Sequence, residues 1–120
     1  YHCEVDVWFE CGEWFLGHDG PQYKVTDLNL LLNNRVWAHC KNLEALEFCI
    51  NPNKFWHETD SYTITQSGYH WTYPGKPLGY RSICVMPEWN NPPGVKPELP
   101  FPFFGGICSD YIELIRNLNT

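Results

Sequence analysis

Residues 26–40 read TDLNLLLNNRVWAHC, and the fold turns on how this stretch is read. Leu28, Leu31, Leu32, Val36, His39 and Cys40 recur at three- and four-residue spacing, with Thr26 as a candidate N-cap and Asp27 in the first turn. That pattern predicts a helix whose apolar stripe packs on a sheet, with Cys40 near its inner face. Upstream, Tyr1, Cys3, Val5, Val7, Phe9 and Cys11 alternate with His2, Glu4, Asp6 and Glu10, the signature of a half-buried strand. An unbroken strand puts Cys3 and Cys11 about 27 Å apart at roughly 3.4 Å per residue, so they need different partners in any disulfide scheme. Gly17, His18, Asp19, Gly20 and Pro21 form a turn cluster after Trp14 and Phe15, which fits a hairpin within the first twenty residues.

Downstream, Leu43, Ala45, Leu46 and Phe48 extend or follow the helix until Asn51, Pro52 and Asn53 break the pattern. Short β-prone runs at residues 61–65, 69–73 and 80–86 are separated by glycine and proline and predict antiparallel strands. Residues 87–106 are rich in proline, which removes backbone donors, and predict a long loop pinned by Phe101, Phe103 and Phe104. Asp110 and Glu113 have capping-box spacing ahead of Tyr111, Ile112, Leu114, Ile115 and Leu118, which predicts a short terminal helix. The expected fold class is α+β: a central antiparallel sheet packed against one helix, as a single domain over residues 1–120.

At 43% hydrophobic, 17% aromatic and 18% charged residues, the chain is too apolar for intrinsic disorder, and no apolar run approaches membrane-spanning length. Eight Lys and Arg against fourteen Asp and Glu give 8 − 14 = −6, which disfavours non-specific binding to nucleic acid or anionic lipid. Six cysteines with no CxxC pair favour disulfides, and hence a secreted protein whose leader has been removed. The competing arrangements are six reduced thiols, or a site made from His39, Cys40 and Cys49. On a helix, neighbouring His39 and Cys40 point about 100° apart, which suits metal ligation poorly. No metal or cofactor is expected.

Four groups are candidates for chemistry. His57 beside Glu58 suits acid/base work or is a surface pair at a strand start. In the run Tyr69–Tyr73, alternation sets His70 and Thr72 on the face opposite three rings, as a site or as a solvated face. Arg81 precedes an apolar strand, where a guanidinium can fork onto a phosphate or carboxylate or simply lie half-exposed. The abundant rings can stack bases, but an acidic chain does not offer the positive groove that usually goes with stacking.

Taken in order, YxC at residues 1–3, a helix, FWH at 55–57, YHWTYP at 69–74, YRSICVMP at 80–87 and GGICS at 105–109 resemble the secreted fungal guanyl-specific ribonucleases. The likeness is greater to the RNase-like effectors of powdery mildews. It implies a microbial-ribonuclease fold and matches His57 to a catalytic histidine and Arg81 to the strand arginine. His70 stands where the family has its glutamate base, and no histidine follows His70 to act as the acid. Transfer to a 2′-hydroxyl needs both a base and an acid, each worth typically 10²–10⁴-fold, so the resemblance implies an inactive scaffold with His57, His70 and Arg81 as vestiges. It also implies a Cys3–Cys108 bridge and a Cys40–Cys84 bridge, leaving Cys11 and Cys49 for a third. The expected function is a secreted effector, monomeric and able to enter a host cell. Its partner is a host protein such as a plant immune receptor, met through Phe101, Phe103, Phe104, Trp89 and Lys76. The alternatives are RNA binding without cleavage near His57, Lys76 and Arg81, and an active nuclease using His57 with His70 or Glu58.

Overall fold

The hairpin that opens the chain is built on the predicted alternation. Strand β1 (Cys3–Glu10) pairs antiparallel with β2 (Glu13–Leu16), Val7 opposite Leu16 and Glu10 opposite Glu13. The two-residue connection is Cys11–Gly12, both with positive φ (51° and 77°), as a type I′ turn requires to follow the strand twist. The turn therefore precedes Trp14 rather than lying in the Gly17–Pro21 cluster. That later cluster leads instead to the two-residue strand β3 (Tyr23–Lys24), which pairs antiparallel with β2. The computed structural model describes residues 1–89 and 105–118.

The long helix expected from Thr26 to Cys40 does not form. Helix α1 covers only Asn29–Leu32, with Asp27 Oδ1 accepting from the Asn29 amide. Asn33 turns extended, and Val36–Cys40 becomes strand β4, parallel to β1 with Asp6 opposite His39 and Val7 opposite Cys40. Val36, Ala38 and Cys40 are buried while Trp37 and His39 are half-buried, a period of two and not of 3.6. Helix α2 (Leu43–Phe48) follows as a separate element. Asn42 caps it by accepting from the Ala45 amide, and its side chain also bonds both backbone groups of Phe9.

The chain divides into two compact units, residues 1–58 with 64–67 and residues 59–63 with 68–120. In the first, a sheet of order β3-β2-β1-β4 buries one face. Val7, Ala38 and Cys40 meet Leu31, Ala45 and Cys49, with Val5, Phe9, Trp14, Leu16, Val25 and Leu46 around them. The outer edge of β4 is covered by residues 53–55, Phe55 lying opposite His39. Asn51, wholly buried, ties the unit together. Its amide donates to the carbonyls of Leu31, Asn33 and Val36, and its Oδ1 accepts from the Asn53 amide.

The other sheet has the order β5 (Tyr62–Ile64), β6 (His70–Thr72), β7 (Ser82–Val85) and β8 (Gly106–Cys108), and all of it but Ile64 belongs to the second unit. The three expected strand positions hold, but β6 and β7 run parallel, as do β7 and β8. Among the described residues of this unit, Trp71, Ile83, Cys84, Pro87 and Ile115 are buried apolar ones, and Thr72 and Ser82 are buried polar ones. Thr72, expected on a polar face with His70, is therefore an interior residue. The terminal helix α3 (Ile112–Leu118) forms as predicted. At its entry the Ser109 hydroxyl accepts from the Tyr111 amide and donates to Glu88. Among the described residues, two mixed sheets and three short helices thus stand where a central antiparallel sheet braced by one helix was expected, within the α+β class.

No disulfide links the six cysteines, so the expected Cys3–Cys108, Cys40–Cys84 and Cys11–Cys49 bridges are absent. Cys40 sits on the core face of β4 with its thiol donating to the Ala38 carbonyl at 3.7 Å. Cys3 and Cys11 are exposed at the two ends of β1 and its turn.

Candidate functional site

The face of the first sheet opposite the core carries the even-numbered residues of β1. In a parallel pair, residues in register project to the same side, so Glu4 and Asp6 share that face with Trp37 and His39. His39 Nδ1 lies 3.0 Å from Asp6 Oδ1 and 3.8 Å from Glu4 Oε1. Its Nε2 lies 2.9 Å from the His57 carbonyl. A carbonyl only accepts, so Nε2 bears a proton and donates it to His57. The ring is further fixed by stacking on Phe55, centroids 5.1 Å apart and planes 13° from parallel, and by an edge contact with the His57 ring.

The three side chains are largely removed from solvent, with 25% of Glu4, 16% of Asp6 and 17% of His39 exposed. Burial, followed by the charge of Asp6, pushes the Glu4 carboxyl up to about 8, so it holds its proton at neutrality. For Asp6 burial is the largest influence and acts upward. The hydrogen bond and charge of His39, with Lys41, outweigh it and hold this carboxyl below its usual range. The result is an ionised carboxylate at Asp6 beside a neutral carboxyl at Glu4. Glu4 Oε1 is buried without a hydrogen-bond partner. One oxygen or nitrogen from each of the three residues lies within 4.8 Å of the others, close enough to hold a cation.

The residues singled out in the sequence are placed differently. His57 enters this cluster, through its carbonyl and the edge of its ring, while Glu58 is exposed beside it. Arg81 Nε donates to the Gly68 carbonyl at 2.9 Å, and the guanidinium lies over the Tyr69 ring, 4.9 Å from its centroid. Gly68 has a φ of +89°, and a Cβ there would stand 3.2 Å from Arg81 Nη2, so glycine serves both the turn and the arginine. His70 is half-buried on β6 opposite Ser82, its amide bonded to the Arg81 carbonyl. Lys76 and Trp89 are exposed, Trp89 by 64%. Phe101, Phe103 and Phe104 lie outside the described residues.

His39, Cys40 and Cys49 do not form a common site, because His39 faces away from the core that holds both sulfurs. The hydrogen bond from Cys40 is the largest influence on Cys49, and with the Asn51 backbone and Lys54 it outweighs burial and brings that thiol down to about 6. The Cys40 thiol is pushed up by that hydrogen bond and by burial. Glu4 and Asp6 were legible only as the polar side of β1, and no sequence signal pairs them with His39. Comparison with protein-family models, with curated proteins and with solved structures finds no match to this chain.

Proposed function

We propose that the protein is a secreted, non-catalytic effector that works by binding a host protein, a plant immune receptor among the candidates, and not by cleaving RNA. The observation that carries this reading is the engagement of Arg81. A guanidinium bonded to a backbone carbonyl and stacked on a tyrosine ring braces the Gly68 turn. With Nε taken up by a carbonyl, one of the bidentate forks by which a guanidinium grips a phosphate is lost. His39 and Asp6, the acid/base pair most shielded from solvent, face each other at 3.0 Å with no nucleophile between them. The ribonuclease-like ancestry suggested by the motif order belongs to the same proposal and supplies its biological setting, secretion and entry into host cells, rather than its chemistry.

RNA binding is the weaker alternative. Lys24 is paired with Glu13, Lys54 donates to the Leu46 carbonyl and Arg81 to that of Gly68, so these basic side chains already have intramolecular partners. Exposed rings such as Tyr80 and Trp89 suit a protein partner, where aromatic anchors contribute most of the binding energy. The test has two arms. A guanosine-containing dinucleotide incubated with concentrated protein is expected to remain intact, and cleavage abolished by His57→Ala refutes the non-catalytic reading. Recovery of a host partner is expected to fall for Trp89→Ser and for serine at Phe101, Phe103 and Phe104. Equal recovery by all variants refutes the surface.

A further inference from the structure

The geometry points to a divalent transition-metal site formed by Glu4, Asp6 and His39 on the polar face of the first sheet, of the class that takes Zn²⁺ or Co²⁺. One nitrogen and two carboxylates make a borderline donor set, and three protein ligands leave a coordination position open. Ligands about 2.0–2.1 Å from a tetrahedral ion stand roughly 3.3–3.4 Å from one another. The separations of 3.0 Å to Asp6 and 3.8 Å to Glu4 from His39 Nδ1 bracket that value.

Two further observations favour an ion. First, His39 donates Nε2–H to the His57 carbonyl, the outer contact that metal-ligating histidines characteristically make, and this leaves Nδ1 as the ring atom that faces both carboxylates. Stacking on Phe55 holds the ring in that orientation. Second, Glu4 Oε1 is buried with no hydrogen-bond partner, an arrangement that is costly unless something positive meets it. Bound as carboxylates, Glu4 and Asp6 supply two negative charges against the two positive charges of the ion. Lys41, which acts on both carboxylates, opposes entry and is the nearby charge that limits affinity.

The test is titration of the intact, chelator-treated protein with Co²⁺ followed by visible absorption, and with Zn²⁺ followed by calorimetry. One ion per chain is expected, with weak visible bands and no near-ultraviolet thiolate-to-cobalt band. Glu4→Gln and His39→Asn are each expected to weaken binding at least tenfold, while Cys49→Ser leaves it unchanged. Glu4→Gln is near-isosteric and keeps the comparison available if His39→Asn fails to fold. Absence of binding, a thiolate band, or affinity unchanged in Glu4→Gln overturns the assignment.

Discussion

Replacing Asn51 by aspartate alters one atom in the most densely bonded polar side chain of the first unit. Its Nδ2 donates to the carbonyls of Leu31 at 2.7 Å, Val36 at 3.1 Å and Asn33 at 3.2 Å, while Oδ1 accepts from the Asn53 amide at 2.8 Å. Aspartate keeps the acceptor and the shape but sets an oxygen against three carbonyl oxygens. Two donor hydrogens disappear, and each buried group left unsatisfied costs about 1–3 kcal/mol. The expected loss at pH 7 is therefore about 3–5 kcal/mol, a large share of the roughly 5–15 kcal/mol typical of a domain. Urea unfolding followed by circular dichroism measures it. The sign of the pH dependence is specific. Protonating the introduced carboxylate restores one donor, so the deficit of Asn51→Asp should shrink as pH falls below neutrality, whereas Asn51→Leu should show a deficit with no such recovery. A loss under about 1 kcal/mol for Asn51→Asp, or the same deficit at pH 4 and pH 7, would falsify the claim that the amide clamps the end of α1 to the start of β4.

Glu4 has its pKa raised from 4.5 to about 8 in the folded chain, so above pH 4.5 the native state keeps a proton that the unfolded state releases. Stability should then fall with rising pH across that window by up to about 1.4 kcal/mol per unit, and Glu4→Gln should flatten the decline when urea midpoints are compared from pH 5 to pH 8 with chelator present. Parallel profiles for the two proteins count against burial as the cause. Gly105→Ala places a methyl carbon 3.1 Å from both the Ser82 carbonyl oxygen and the Tyr69 ring. It should lower the unfolding free energy by about 1–3 kcal/mol, as overpacking does. Timed alkylation of the native chain should label the exposed Cys3 and Cys11 first and leave Cys40, Cys49 and Cys84 unlabelled until urea is added, since those three are buried. Peptide mapping that finds Cys49 among the first thiols labelled contradicts the described core, despite its lowered pKa.

Local patterns carried much of the fold. The alternation of β1, the short apolar run of α2, the β-prone segments around β5, β6 and β7, and the amphipathic α3 were all legible because each depends on neighbours in sequence. Residues 26–40 were not, because TDLNLLLNNRVWAHC satisfies two periods at once. Leu28, Leu31, Leu32, Val36, His39 and Cys40 fit helical spacing, while Val36, Ala38 and Cys40 also fit alternation. The asparagine pair at 33 and 34 breaks the helix, and β1 recruits the rest by parallel pairing, a contact over more than thirty residues that no local window contains. Strand direction in the second sheet was missed for a related reason, since hairpin-length spacing between β6 and β7 suggests an antiparallel return. The candidate site follows from the same miss. Placed on a helix, His39 has Cys40 as its only neighbour of interest; placed on β4, it faces Asp6.

The register of β1 against β4 links the core to the polar cluster. Val7 stands opposite Cys40 and Asp6 opposite His39, so consecutive residue pairs serve opposite faces of one sheet. A slip of one residue would turn His39 into the apolar layer beneath α2 and expose Ala38 and Cys40, both now almost wholly buried. Burying those side chains with Val7, Leu31, Ala45 and Cys49 is therefore what aims His39 at the two carboxylates. The cluster's own contacts do little of this, because buried charged pairs return roughly what their desolvation costs. Its geometry is thus set by apolar packing on the far side of the sheet, and substitutions at Glu4 or Asp6 should alter what the face binds or titrates while leaving the strand pairing in place.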